Sequence, residues 1–592
     1  MSAQSIDTDF LVVGAGPAGS SLACFLGQNG LEGIVISSAP GTADTPRAHA
    51  TNPPALECLR DIGLERDCLS LATRGLPVQS HRWCRSMVGV EYGKVQFWGG
   101  HPDNARDVAT ASPCEYVDLP QSDMEPLLVK YASQHGFQVR FGTELVDARR
   151  QTDFVACTVR DSIAQLTYTM RAKFLFGADG GRSMVARSFD TQFLREPSQG
   201  VACNILLNAD LNHLMNGREA QLHWIMQPDR KSRFGTAPTM RMVRPWTQWL
   251  LVFFAPGTGD DPFRGTSPRS PELIGRVREI IGDESVDVEI LRIDPWVTRE
   301  TVAEKYSSGD NVFLLGDAAH RHPPAYGLGS NTCIQDAYNL GWKVAYVSKG
   351  LAGPALLKSY HEERQPVGAS LVKESNQCLR DHMRVWEALG MSTASAEEGR
   401  KHLEELYAPT PAGAASRLRL DRALRGKRRE GESLGLGMNQ RYVSGAVYLD
   451  DETAPCPVVE GDPIVKVRIS TYPGVRLPHA WLDVASRKKE VSTHDLAGRG
   501  CFCLFTGHGG GAWKQATKNI SAATGIPIKA YSIGLGLEWH DVYRQWSDVR
   551  EVDEDGCILV RPDRFVAWRS MRMISDCERK LWEVLDKVLA RG

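Results

Sequence analysis

"DFLVVGAGPAGSSLACFLGQNG", residues 9–30, decides the fold. Phe10 to Val13 form an apolar run of strand type, Gly14, Gly16 and Gly19 interrupt it, and Leu22, Ala23, Phe25 and Leu26 then follow with helical spacing. Each glycine has a task. Gly14 allows a tight turn, Gly16 lets a pyrophosphate approach the backbone, and Gly19 lets the helix lie close to the strand. Ala18 belongs to the same "GAGPAG" turn. Free N–H groups and the positive end of the helix dipole then meet phosphate oxygens. The segment predicts a Rossmann-like α/β domain that holds a dinucleotide.

One part of that pattern departs. The second strand, "GIVISS" (residues 33–38), should close on an acid for the ribose hydroxyls, and it closes on Ser37 and Ser38. A serine bonds a hydroxyl without the charge assistance of a carboxylate.

Size and composition bound the rest. A chain of 592 residues exceeds one ordinary core, so two or three domains are expected. The 69 Lys+Arg nearly balance the 71 Asp+Glu. This disfavours a nucleic-acid partner or an anionic membrane surface, which need a basic face. The start "MSAQSIDTDF" has no basic and apolar leader pattern, and no run approaches the roughly 20 apolar residues of a membrane span. A cytoplasmic enzyme is expected. The 14 cysteines are scattered without a Cys-x-x-Cys, the nearest approach being Cys501-Phe502-Cys503, so neither a metal site nor a redox pair is expected.

Three further segments choose the dinucleotide. "TPRAHATNPPALECLRDIGL" (45–64) sets Arg47 before a helix with Ala55, Leu56, Leu59 and Ile62 on one face. "FLFGADGGRSMVAR" (174–187) is a strand ending in Asp179-Gly180, with Arg182 and Arg187 near the next helix. "NVFLLGDAAHRHPPAYGLGSN" (311–331) is a strand followed by Gly316-Asp317 and then Gly327, Gly329, Ser330 and Asn331, where a long helix begins. A nicotinamide dehydrogenase has no use for a second strand-Gly-Asp unit so far from its fingerprint; an extended FAD does. Asp317 can accept from ribityl hydroxyls, and the helix from Asn331 aims its positive end at the flavin's pyrimidine edge.

These motifs, with "PGVRLPHAWL" (473–482) and "LVRPDRFVAWR" (559–569), resemble the group A flavin-dependent aromatic hydroxylases, in the phenol hydroxylase and 2,4-dichlorophenol 6-monooxygenase branch. The resemblance implies a Rossmann-like FAD-binding domain of the para-hydroxybenzoate hydroxylase type. It is interleaved with a mostly antiparallel substrate-binding sheet and followed by a thioredoxin-like domain. Residues 1–80, 111–190 and 300–395 would form the FAD-binding domain and its following helices, and 81–110 and 191–299 the substrate-binding domain. Residues 396–440 would be a helical linker and 441–592 the thioredoxin-like domain.

On the same resemblance Gly14, Gly16, Ala18 and Gly19 hold the pyrophosphate, with Ser37 at the ribose. Arg47 contacts the flavin, and Gln121 of "LPQSDMEPLL" the ribityl region. Asp179 and Gly180 serve FAD and NAD(P)H, Gly316 and Asp317 the ribityl or pyrophosphate, and Gly327, Gly329, Ser330 and Asn331 the pyrimidine edge. Pro323 and Pro324 lie beside the reactive side of the ring.

The implied reaction takes NADPH or NADH as co-substrate and O2, and hydroxylates a phenolic ring through a flavin C4a-hydroperoxide. His49, His320 and His322 are candidates for the proton relay, because imidazole titrates near neutrality, with Arg321 as electrostatic partner. Trp224 and Trp246 are candidate substrate contacts, although such aromatics also fill sheet cores. The same cofactor serves epoxidation, oxidative dearomatisation or Baeyer–Villiger oxidation of a polyketide-type metabolite, and these alternatives stay open, as does a flavin-binding regulator without turnover. A homodimer is expected.

Overall fold

The computed structural model describes residues 5–196, 200–255, 262–484 and 490–591. The first four residues of the polar start read above lie outside them. So do 197–199 and 256–261 of the expected substrate domain, and 485–489 and 592 of the expected C-terminal domain.

The opening segment forms strand Ser5–Val13 and helix Pro17–Gln28. The strand alternates in burial at its start and is fully buried from Phe10 to Val13, as a central parallel strand covered on both faces must be. It pairs in parallel with Leu166–Gly177 on one side and Gly33–Ile36 on the other, in an eight-stranded sheet. A Cβ on Gly19 would stand 1.9 Å from the Gly14 carbonyl oxygen, so only glycine lets the helix cross there.

A seven-stranded sheet forms the second layer. Its order is 289–297, 201–208, 248–255, 236–244, 222–225, 80–84 and 91–96, and every neighbouring pair is antiparallel except 222–225 with 80–84. Leu273, Val277 and Ile280 of helix Pro271–Ile281 share its core with Val385 and Trp386 of helix Lys358–Ala388. Leu403, Leu406 and Leu420 join the same core, so the stretch expected to be a linker covers the substrate sheet instead. Apolar residues at helical spacing outweigh its many surface arginines.

The C-terminal sheet has the order 528–532, 502–506, 557–560, 566–570. Phe502 and Leu504 face helices Gly511–Thr524 and Cys577–Val588, while Cys503 and Phe505 face a second apolar cluster. Residues 441–480 contribute no strand and run between this sheet and the flavin domain. The turn "RPDRF" joins the two bodies. Arg561 donates to both oxygens of Glu363 at 2.6 and 2.8 Å, and Arg564 donates to Asp61 at 2.7 Å. Among the described residues no helix is long and apolar enough to cross a membrane.

Candidate active site

A groove of about 720 Å³ runs along the carboxyl ends of the parallel strands. Gly14, Gly16, Ser37, Arg47, Gln121, Asp179 and Gly180 line it together. Gly14 has a φ of +109°, and a Cβ there would strike the Ala178 carbonyl, whereas the space over Gly16 is open to 3.8 Å. Asp179 Oδ2 accepts from the Met184 and Val185 N–H groups, and its buried Oδ1 has no partner. Ser37 Oγ accepts from the Ala39 N–H at 3.3 Å. Gln121 donates to Glu125, which also accepts from the Ala43 N–H; burial raises the Glu125 carboxyl above its ordinary range despite these bonds.

The second strand-Gly-Asp unit lies beside the fingerprint helix at Ala18. From Val312 to His320 only Asp317 is exposed, so its carboxylate projects from a buried turn. Gly316 lies against Cys333 and Ala18, where a Cβ would come within 2.6 Å of the Cys333 sulfur. Helix Gly329–Ser348 starts beside Gly327 and Leu328, with open space at Gly329 and Ser330 buried. Pro323 is buried and Pro324 exposed. Asn331 is a clamp: its Oδ1 accepts from the Asn52 N–H and its Nδ2 donates to the Ala50 and Gly327 carbonyls. An open glycine turn, an orphaned carboxylate oxygen and an acid projecting from the turn beside Ala18 fit an extended FAD.

His49 lies in a buried polar cluster. Its Nδ1 stands 2.8 Å from Asp118 Oδ2, and Gln221 Nε2 donates to the same oxygen at 2.6 Å. Burial, then the charge of Arg241, holds the imidazole below its ordinary value, against the pull of Asp118. Burial works to raise Asp118, but His49, Arg241 and Gln221 outweigh it and the carboxyl sits low. Arg241 is buried, pulled down to about 10, and donates to the Pro46 and Arg47 carbonyls. The ring of Trp98 lies 6.3 Å from His49 and stacks on Tyr116, while His81 stacks on Phe97 at 3.6 Å. The cluster thus joins a neutral imidazole, an ionised carboxylate and aromatic side chains.

Asp118, Gln221, Arg241, Trp98 and Tyr116 were missed in the sequence. The available signal was Asp118 standing as an acid between Val117 and Leu119. The two-residue strand Val117–Asp118 that pairs it with Ala50–Thr51 cannot be read from periodicity.

The other relay candidates lie elsewhere. His320 is 1 % exposed and its Nε2 is 2.9 Å from Asp336, which Arg364 also binds at 2.7 Å. That buried ion-pair network braces the turn and does not reach His49's pocket. His322 Nδ1 bonds the Pro323 carbonyl, and burial lowers its pKa. Arg321 donates to the Gly181 carbonyl and lines an adjoining pocket of about 750 Å³ with Arg195 and Arg299, and with Arg182 and Arg187, which also line the first groove. Trp224 stays at the substrate sheet, 4.6 Å from the His382 ring. Trp246 sits in the turn between strands 236–244 and 248–255, against Trp249. Cys378, His382 and Glu430 bring their ligand atoms within 4.8 Å of one another. The cation among them is the Lys427 ammonium, 2.5 Å from Glu430.

Two family descriptions match the chain: an FAD binding domain over residues 7–375 and an aromatic-ring hydroxylase C-terminal domain over 470–592. The chain therefore belongs to the FAD-binding aromatic-ring hydroxylases. It is 36% identical to a 2,4-dichlorophenol 6-monooxygenase of Delftia acidovorans, covering 99% of each chain. It is 39% identical to a phenol 2-monooxygenase of a Pseudomonas species, covering 98% of this chain and 92% of that one. Among solved structures, the flavin-dependent monooxygenase PieE in complex with FAD and substrate superposes with a TM-score of 0.92. The identity there is 35%, over 99% of this chain and 100% of the other.

Proposed function

We propose that the protein hydroxylates a phenolic ring, using FAD, NAD(P)H and O2, with His49 as the group that takes the phenolic proton. The His49–Asp118 pair carries this reading. A phenol becomes a better nucleophile as its proton leaves, and a neutral imidazole backed by a buried carboxylate accepts that proton while Asp118 stabilises the resulting charge. Bound FAD would take up the reducing equivalents and activate O2 for transfer of one oxygen atom to the ring. Gly14, Gly16 and Asp179 would hold its phosphates and ribose, and Asp317 its ribityl chain. Arg241 and Gln221 hold His49 and Asp118 in register. Trp98, Tyr116 and Phe97 wall the ring in and keep water from it.

The arginine-rich pocket suits the co-substrate. Arg182, Arg187, Arg195, Arg299 and Arg321 face Asp190 and Glu196 there, an excess of positive charge fit for a dinucleotide's phosphates. The two relatives bear phenols in their names, which supports the same substrate class. Aerobic NAD(P)H oxidation over a panel of phenols, with product analysis, tests the proposal. Phenol-stimulated oxidation yielding a ring-hydroxylated product is expected, and stimulation by no phenol would overturn it.

A further inference from the structure

One face of the seven-stranded sheet carries side chains in two rows. His81, Leu222 and Arg241 are partners across three strands, and so are Trp83, Trp224 and Thr239. The rows are two residues apart, which is about 7 Å along a strand. The first row lies at the flavin end, where Arg241 bonds the carbonyls of Pro46 and Arg47 and Gln221 holds Asp118. The second lies beside His382 of helix Lys358–Ala388.

In that second row Trp83 is 0%, Trp224 7% and Thr239 4% exposed, yet Trp83 Nε1, Trp224 Nε1 and Thr239 Oγ1 have no hydrogen-bond partner. His81 Nδ1, in the first row, and His382 Nδ1, beside Trp224, are likewise unpartnered. A buried polar group left unpaired costs roughly 1–3 kcal/mol, so three along one cross-strand row, with Thr239 and the adjoining Trp224 at its His382 end, mark a place for a ligand atom. The local charges cancel, because Lys427 faces Glu430 at 2.5 Å and burial, with the charge of Lys427, holds the neighbouring His382 below its ordinary value. The ligand atom is therefore uncharged, an oxygen able to accept from an indole N–H and a hydroxyl.

We infer that Trp224 and Thr239 form a distal subsite that receives a hydroxyl or carbonyl oxygen at the far end of the substrate. This rests on the phenol-hydroxylase reading and sharpens it. The substrate is an extended phenol, of two rings or bearing an acyl group, whose second oxygen reaches one row beyond Arg241, about 7 Å along the strand.

Two probes of nearly equal size test it: 4-phenylphenol, and 4,4'-dihydroxybiphenyl, which adds the distal oxygen. Binding to the FAD-loaded enzyme is followed by the change in flavin absorbance, and turnover by kcat/KM. The wild type should favour the dihydroxy compound on the order of ten-fold, the worth of two ordinary hydrogen bonds. Trp224→Phe with Thr239→Val should collapse that ratio to near one, and Thr239→Val alone should lower it part of the way. Equal binding of the two probes by the wild type, or an undiminished ratio in folded variants, would overturn the subsite. If the ratio holds in binding but no phenol is turned over, the subsite stands and the phenol-hydroxylase reading falls.

Discussion

His49 Nδ1 lies 2.8 Å from Asp118 Oδ2, and the Asp118 side chain has no exposed surface. An imidazole so placed rests neutral, because burial and Arg241 oppose its charge, yet gains a stabilising partner once it takes a proton. Replacing Asp118 with Asn should therefore leave FAD bound and lower kcat by about 10²–10⁴. Phenols acidic enough to enter already ionised should lose least. Steady-state rates across a series of phenol acidities, with flavin absorbance as the control, check this.

The pH profile follows from the same pair. The proposed role needs His49 neutral, and its pKa lies below the ordinary imidazole value of about 6.5, so kcat/KM should hold at that pH and decline only in more acidic solution. Asp118 pulls that pKa upward, so Asp118→Asn should shift the acid limb further toward low pH. An acid limb in the wild type above the ordinary imidazole value would contradict the assignment.

Arg195 and Arg299 line the arginine-rich pocket and lie outside the FAD groove. Changing both to Ala should raise the KM for NAD(P)H about ten-fold and leave the KM for the phenol unmoved. The gap between wild type and variant should narrow at high salt, since screening weakens exposed charge contacts. Reductant titrations at two ionic strengths measure it.

Much of the FAD domain was legible in the sequence because its constraints are local. A glycine turn between a strand and a helix, or an acid after an apolar strand, is fixed by neighbours in the chain. Gly14, Gly16 and Asp179 accordingly meet in one groove. The proton-handling site was only partly legible. His49 was read as a candidate, but Asp118, Gln221 and Arg241 reach it from three separate segments. His320 had the same apparent claim, and Asp336, one position of a long helix, takes it into a structural pair instead. The stretch 396–440 read as a linker because its charges hide the leucines that bury against the sheet.

Acid should destabilise the fold through buried neutral imidazoles. Burial draws His81 and His479 down to about 3, so below pH 6.5 the unfolded chain binds protons that the folded chain refuses. Stability is thus full above the ordinary imidazole value and falls with pH. By pH 5 the loss is about 2 kcal/mol for each group. Thermal melts from pH 8 to 5 should show Tm falling most steeply below 6.5, and His81→Gln should flatten the slope.

Arg561 and Glu363 join the C-terminal body to the flavin domain with no exposure on either side chain. Arg561→Met should cost about 3–5 kcal/mol, because Glu363 keeps a buried charge without its principal partner. Adding Glu363→Gln should recover part of that loss, which denaturant melts of the single and double variants compare.

The most direct measurement is incubation of the FAD-loaded enzyme with NAD(P)H, a phenol and heavy-isotope dioxygen, followed by mass spectrometry of the product. The account predicts one labelled oxygen atom on the ring, formed rapidly by the wild type and far more slowly by His49→Gln with its flavin retained. A product without the label, or an undiminished rate in the His49 variant, would contradict it.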